Sequence, residues 1–411
     1  MPRPYRVPRA LADPLLLEIG GWLEGVIRPA TGPDAGTVPD LDDPRIAHAL
    51  RRLIVVHGLA PALVRDRNAS AVGLRLPDDL RAWLAIEDEH NRRRIERLLG
   101  ELGAALQAFA AAGVAIMPLK GAILATRPGA DPFRRPMADL DFLARPGDLE
   151  AARATLVALG YRRRPDRTRR PTHDTFERPG NEAVVSVDGE HPDNPRRIEL
   201  HTEVRRHLWG WVDDDDLTDH LWAEAVEATV LGEPAFLPSD RAFTAHLAIH
   251  ATSDLLVGRG RLIQWLDLAE VAGDVVAGQD LAAEDLARAP HPRLVLPALR
   301  LAVRRLPGRF PPGGPAGLDR LEAVVPDRLA RWANRVPLDT HAGLGAGGSA
   351  PGDASTMGER WARWAPYPWR LAVAHGDSPL AVAALRHARH VLGMARRRPA
   401  CGPPTHPTTR R

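Results

Sequence analysis

The stretch PMADLDFLA, Pro136–Ala144, decides the fold, because its side chains alternate with the period of a β-strand. One face of this strand carries Met137, Asp139, Asp141 and Leu143. The two aspartates project from the same face, where their charges repel each other unless a cation lies between them. Hard oxygen ligands suit Mg²⁺ or Mn²⁺, which usually keep phosphate as a further ligand. The stretch predicts a strand that carries a metal and phosphate site.

The segment PLKGAILA, Pro118–Ala125, contains the only lysine among 411 residues, since every other one of the 55 basic residues is arginine. The short apolar run Val114–Leu119 predicts a buried strand, and Gly121 begins a helix whose backbone N–H groups can meet a phosphate oxygen. Lys120 would place a compact ammonium beside that phosphate, which a planar guanidinium does not reproduce. The alternative interpretation is a surface lysine without a function.

The run RIELHTEV, Arg197–Val204, is a later strand candidate that can lie beside the first strand. Glu199 would add the third carboxylate that a two-metal phosphoryl or nucleotidyl transfer needs, helping to hold the catalytic metal and to lower the pKa of the attacking hydroxyl. His201 shares the face of Glu199. Ala183–Val187 is a further strand candidate.

Arg135 lies between the lysine segment and the aspartate strand, and it has two interpretations. The first is that its guanidinium binds phosphate. The second is that it forms an ion pair with Asp139 or Asp141 across the site. The sequence does not choose between them.

A family resemblance rests on three segments in this order: LKGAILA, RPMADLDFLARPGDLEAARATLVALGY and IELHTEV. The chain resembles the uncharacterised bacterial nucleotidyltransferase family of the DNA polymerase β superfold over roughly Leu80 to Val275. Members of that family typically show an LKG segment, an R-P-M-x-D-x-D-x-L strand and an acid-Leu-His strand. The resemblance implies an α+β fold, in which a polymerase β-like core with a mixed sheet is flanked by helical N- and C-terminal domains.

The resemblance also implies an activity, the transfer of a nucleoside monophosphate from an NTP, such as ATP, to an acceptor group with release of pyrophosphate. The implied catalytic and metal-binding acids, with Mg²⁺ or Mn²⁺, are Asp139, Asp141 and Glu199. The implied nucleotide and phosphate ligands are Lys120, Gly121 and Arg135, with His201 as an accessory residue. The acceptor would be a small molecule, a peptide, a protein or an RNA end.

Two positions depart from the superfold pattern. Gly121–Ala122 stands where Gly-Ser is usual, and Glu199 stands where aspartate is commoner. The missing hydroxyl favours a second interpretation, a catalytically inactive binding or scaffold protein. A toxin-like transferase that modifies tRNA or protein is a third, for which the arginine-rich run Arg162–Arg170 is the hint.

Helical periodicity surrounds the predicted core on both sides. Asp43–Val64, Pro77–Ala112 and several segments after Pro238 have apolar residues at helical spacing, with Gly113 as a natural stop. We therefore expect a tail with a short helix at 1–40, a helical N-terminal domain at 41–112, a nucleotidyltransferase core at 113–237, a helical C-terminal domain at 238–395 and a disordered basic tail at 396–411.

The composition is that of a globular protein, with 44% hydrophobic and 26% charged residues. The sequence shows neither an apolar run near the roughly 18 residues of a membrane span nor a clean secretory signal. The single cysteine, Cys401, cannot form an internal disulfide, and a cytoplasmic location is expected. The formal charge of +3 does not call for nucleic acid, so no specific DNA binding is expected.

Three other groups of residues are expected to have structural roles. His246 and His250 are four apart on a helix, but no third metal ligand follows, so packing or capping is expected. The acidic run Asp213–Asp216 is expected to open a helix rather than bind calcium. Core packing, rather than base stacking, is expected for Trp361, Trp364 and Trp369.

Overall fold

The sheet that carries the predicted acids is mixed and central. In the computed structural model, the described residues are 42–65, 76–165, 173–186, 190–206, 215–256, 260–277, 292–306, 381–382, 384–385 and 388–389. Within these residues the largest sheet has five strands: β1 Ile116–Pro118, β2 Asp139–Ala144, β3 Arg162–Arg163, β4 His173–Glu177 and β5 Arg197–His201. Their order is β1-β2-β5-β4-β3, and β2 and β5 run parallel while the other neighbours are antiparallel. The strands with the predicted acids are therefore adjacent.

Helices precede, interrupt and follow this sheet. They are α1 Pro44–His57, α2 Ala60–Arg65, α3 Asp78–Ala111, α4 Gly121–Thr126, α5 Leu149–Ala158, α6 Thr218–Ala223, α7 Asp240–Leu256, α8 Leu262–Ala277 and α9 Pro292–Arg305. Two small strand pairs complete the described elements: β6 Arg205–Arg206 with β7 Asp215–Asp216, and β8 Val226–Val230 with β9 Glu233–Leu237. The α+β fold expected from the sequence, with a nucleotidyltransferase-like core, is confirmed.

Local chemistry explains where the N-terminal helices begin and end. The side chain of Asp43 caps α1 by accepting a hydrogen bond from the Arg45 backbone N–H, and Gly58 ends it with a φ of 70°. Gly113 follows α3 with a φ of 67°. The predicted helical segments Asp43–Val64 and Pro77–Ala112 are confirmed. None of the described helices combines the length and apolar character needed to cross a membrane.

The expectation of a strand at Ala183–Val187 is wrong for the described residues 183–186, and β4 occupies the neighbouring position in the sheet instead. The reason is a side chain. Asn194 accepts hydrogen bonds from the N–H groups of Val185 and Ser186 through Oδ1, and its Nδ2 donates to the Ser186 carbonyl. This apolar segment therefore satisfies its backbone through one amide rather than through a neighbouring strand.

Two hydrophobic clusters hold the described elements together. The sheet cluster packs α3 and α5 against one face of the sheet, and its aromatic contact is Phe109 with Phe142, at 5.5 Å between ring centroids. The helical cluster combines α1 and α2 with α7, α8 and α9, and it receives Met117 and Leu143 from the sheet. Leu143 lies on the same face of β2 as Asp141, so the acids lie beside this cluster. The predicted domain boundaries stay a prediction.

Arg94 of α3 is buried, and its guanidinium donates five hydrogen bonds to backbone carbonyls. The acceptors and distances are Met137 O (2.7 Å), Ala138 O (2.6 Å), His191 O (3.0 Å), Asn194 O (3.1 Å) and Pro195 O (3.0 Å). Two of these carbonyls directly precede β2 and the other three precede β5. Arg94 therefore fixes the approach of both acid-bearing strands to each other.

Arg94→Lys is expected to lower the free energy of unfolding by about 3 kcal/mol, because an ammonium cannot reach five carbonyls and leaves several buried acceptors unsatisfied. Urea denaturation of the full chain measures this change. The matched control is Arg93→Lys, at an exposed position paired with Glu89, which should change stability by no more than about 0.5 kcal/mol. Equal stability of the two variants would contradict the role given to Arg94.

Candidate functional site

The strand register brings the predicted acids together. In the parallel pair of β2 and β5, Asp141 is the partner of Glu199, and Leu143 is the partner of His201. Asp139 lies two residues before Asp141 on the same face. Two strands that are far apart in the sequence thus place three carboxylates and one imidazole on one surface of the sheet.

The negative charge of Asp141 is balanced by two neighbouring side chains. Its Oδ1 accepts a hydrogen bond from Lys120 Nζ at 2.6 Å and lies 2.8 Å from His201 Nε2. Burial alone would raise the pKa of this carboxyl, but the charge of Lys120 and the hydrogen bond with His201 hold it well below its usual range. Asp141 is therefore a carboxylate throughout the physiological pH range.

The pKa values of Asp139 and Glu199 are shifted in the opposite direction, upwards. Burial, and then repulsion from the carboxylate of Asp141, raises the pKa of Asp139 to about 7 and that of Glu199 to about 7. A divalent cation would remove this repulsion, and the donor set of carboxylate oxygens is one that suits Mg²⁺ or Mn²⁺. The donor chemistry of these residues therefore fits the predicted metal.

Lys120 connects β1 to α4 with an unusual backbone, at φ 46° and ψ −117°. Residues other than glycine seldom adopt such a conformation, which costs about 1–3 kcal/mol. The neighbouring Leu119 N–H donates to the Asp141 carbonyl at 2.9 Å, so the turn is tied to the aspartate strand. The strained turn thus aims the only lysine of the chain at Asp141.

Arg135 forms its ion pair with Asp267 of α8, at 3.1 Å between Nη2 and Oδ2. The expectation that an ion pair would involve Asp139 or Asp141 is therefore wrong, because Arg135 lies before β2 and points towards the helical cluster instead. Its Nε and Nη1 are buried without a hydrogen-bond partner among the residues that the structure describes. These two nitrogen atoms therefore have no acceptor within the described part of the chain.

Gly121 begins α4, as predicted, but packing also demands a glycine there. A β-carbon at this position would lie 2.4 Å from Arg135 Nη1 and 2.7 Å from Met137 Sδ. Any side chain would therefore displace the guanidinium or the thioether. The absence of a side chain lets Arg135 lie directly against the start of α4.

His173 is a site residue that the sequence analysis missed. It lies on β4 directly opposite His201, and its Nε2 is 3.7 Å from Glu199 Oε2. The strand gives no apolar alternation, because its buried face carries Asp174, which pairs with Arg153 and Arg163. Within the described part of the chain, the residues with metal-ligand spacing are His173, Glu199 and His201.

The histidine pair of α7 and the acidic run before α6 make structural contacts. His246 is buried in α7 and His250 lies 3.5 Å from Asp254, which agrees with the expected structural role of the pair. Asp216 accepts a hydrogen bond from the N–H of Thr218, the first residue of α6, as expected for an acidic helix start. Trp361, Trp364, Trp369, Asp213 and Asp214 lie outside the described residues.

Comparison with known protein families gave a match. A family model described as an uncharacterised nucleotidyltransferase matches residues 43–307, which include every candidate site residue. No curated protein and no solved structure matches the chain.

Without metal, Asp139→Asn is expected to stabilise the protein at pH 8 by on the order of 1–2 kcal/mol, because it removes a repelled carboxylate. An acid whose pKa is raised by folding binds more protons folded than unfolded. Its contribution to stability therefore falls as the pH rises from about 4 to the pKa of about 7. The gain should accordingly disappear near pH 4.

Thermal denaturation in a chelator, at several pH values, measures this difference. Glu227→Gln, at an exposed position of β8, is the matched control and should show no comparable pH-dependent gain. A lower melting temperature for Asp139→Asn than for the wild type at pH 8 would contradict the predicted repulsion.

Proposed function

The chain belongs to the uncharacterised nucleotidyltransferase family, and we propose that it transfers a nucleoside monophosphate from an NTP to an acceptor in a metal-dependent reaction that releases pyrophosphate. The observation that carries this proposal is the convergence of Asp139, Asp141 and Glu199 on adjacent parallel strands, next to Lys120. Such a set of acids is what two-metal nucleotidyl transfer requires. The proposed location is the cytoplasm, where NTPs are available.

The acids would hold Mg²⁺ or Mn²⁺, and the bound cation would supply charge neutralisation and a lower pKa for the acceptor hydroxyl. Asp141 offers a permanent anion, because Lys120 and His201 keep it ionised. Asp139 and Glu199, with pKa values of about 7, would exchange their protons for the cation near neutral pH.

The phosphates of the NTP would meet two basic side chains. Lys120 contributes an ammonium beside the acids, and Arg135 contributes the Nε and Nη1 donors that its ion pair with Asp267 leaves unused. Because Asp267 holds Nη2, the guanidinium is oriented before a ligand arrives. Gly121 leaves room for this arrangement.

The inactive scaffold is the second candidate, and it rests on alanine at the usual serine position. Ala122 is buried in the sheet cluster. A hydroxyl there would face packed apolar side chains, so its absence does not remove an exposed phosphate ligand. This supports the active interpretation.

A toxin-like transferase acting on tRNA or protein has weaker support. Within the described residues, Arg162, Arg163 and Arg164 form ion pairs with Glu182, Asp174 and Glu177. Their charges are paired with acids of the same chain, which does not favour a nucleic-acid acceptor, and residues 166–170 of the run lie outside the described residues. The acceptor classes stay those of a small molecule, a peptide, a protein or an RNA end.

The double variant Asp139→Asn/Asp141→Asn is expected to weaken Mg²⁺- or Mn²⁺-dependent NTP binding at least tenfold, which corresponds to about 1.4 kcal/mol, because the carboxylates that hold the cation are lost. Calorimetry with each NTP measures binding, and pyrophosphate release measures turnover. Asp219→Asn, at an exposed position of α6, is the control and should bind as the wild type does. Unchanged binding and turnover in the double variant would contradict the proposal. A folded wild type that binds no NTP with either metal would favour the scaffold.

Lys120→Gly and Lys120→Ala are expected to weaken NTP binding equally, because both remove the ammonium. They should differ in stability, with the glycine variant more stable by about 1 kcal/mol, since glycine adopts a positive φ without steric cost. Denaturation and calorimetry on the same samples separate the two effects. A glycine variant less stable than the alanine variant would show that the backbone at this position is not strained.

A further inference from the structure

We propose that His173, Glu199 and His201 form a binding site for a divalent transition-metal ion, of which Zn²⁺ and Co²⁺ are suitable probes. The site shares Glu199 with the proposed catalytic acids but has a different chemistry. Its three side chains lie on two adjacent strands, and their ability to bind an ion does not depend on nucleotidyl transfer.

The backbone of the sheet creates this cluster. Glu199 and His201 are two residues apart on β5 and project from the same face. His173 is the antiparallel partner of His201, and directly opposite residues in such a pair have side chains on the same face about 5 Å apart. The two imidazole centroids are 5.0 Å apart. The three ligands therefore converge before any ion binds.

The distances are close to those of a metal centre. Glu199 Oε2 lies 3.7 Å from His173 Nε2 and 3.7 Å from His201 Nε2, and one ligand atom from each residue lies within 4.8 Å of the others. Bonds of about 2.0–2.1 Å place the ligands of a tetrahedral ion roughly 3.3 Å apart. Small rotations of the side chains bring all three ligands to this separation.

The donor set selects the kind of ion. Two imidazoles with one carboxylate suit zinc and related transition metals, and three protein ligands leave a position for water or a substrate oxygen. Mg²⁺ prefers oxygen ligands alone. The other acids on this face, Asp139 and Asp141, provide the oxygen-rich part, so the donors become nitrogen-rich from β2 towards β4.

The cluster is closed on one side and open on the other. The side chain of His201 is 11% exposed, whereas those of Glu199 and His173 are 22% and 34% exposed. An ion can therefore enter from the His173 side. On the closed side, His201 Nε2 lies 2.8 Å from Asp141 Oδ1, so an ion bound at this nitrogen would take the place of the proton in this contact.

The test titrates metal-stripped full-length protein carrying Cys401→Ser, which removes the only thiol. Calorimetry follows Zn²⁺, and the visible absorption of bound Co²⁺ reports its coordination. The expected result is one site whose affinity falls at least tenfold in His173→Gln. His250→Gln, which changes a histidine that lies outside the cluster, is the matched control and should bind as the parent does. Binding that is absent in the parent, or unaffected by His173→Gln, would overturn the proposal.

A second variant separates this site from the proposed catalytic pair. Asp139→Asn should retain Zn²⁺ and Co²⁺ binding, and its loss of that binding would overturn the assignment of the three ligands. If NTP binding with Mg²⁺ is present but Zn²⁺ and Co²⁺ do not bind, this inference alone fails. If Co²⁺ binding depends on His173 but no NTP binds, the inference holds and the proposed function fails.

Discussion

The hydrogen bonds from the buried guanidinium of Arg94 to five carbonyls are the interaction on which the site depends. The parallel strands β2 and β5 are separated by more than 50 residues, so nothing local in the chain sets their register. Arg94 joins the segments that enter both strands, and in this way it determines that Asp141 faces Glu199. Burial lowers the pKa of Arg94, but a guanidinium titrates so far above neutrality that it stays charged. Lysine in this position would lack both the number and the planar arrangement of donors.

The site carries energetic costs that the rest of the structure must support. Asp139 and Glu199 are raised to pKa values of about 7, and Lys120 has a strained backbone. None of these features improves folding, and each lies next to the face where a cation and a phosphate would bind. The two hydrophobic clusters surround this region, and the stability that they provide offsets these costs. Strain and repulsion concentrated at one surface, rather than spread over the fold, are typical of a functional site.

The features that could be predicted from the sequence are those that depend on the local spacing of residues. The alternation of β2 and the spacing of Glu199 and His201 fix which side chains share a face, because the period of a strand is two. The sequence could not reveal what depends on distant contacts. Arg135 pairs with Asp267 of a helix about 130 residues later. The strand of His173 has a buried acid in place of an apolar residue, while the apolar segment at Ala183 is held away from the sheet by Asn194.

Asp141 links the two ends of the site, because one of its oxygens contacts both Lys120 and His201. A cation bound to the carboxylates would compete with Lys120 for this oxygen, and the released ammonium would then be available to phosphate. A cation bound to His201 would replace the proton that lies between the imidazole and Asp141. Because both events would act on the same carboxylate, occupation of either proposed site would change the free energy of binding at the other, and by the same amount in both directions. In the proposed reaction the lone lysine would be the exchangeable partner of Asp141, a role that needs a compact, mobile charge rather than a fixed, planar one.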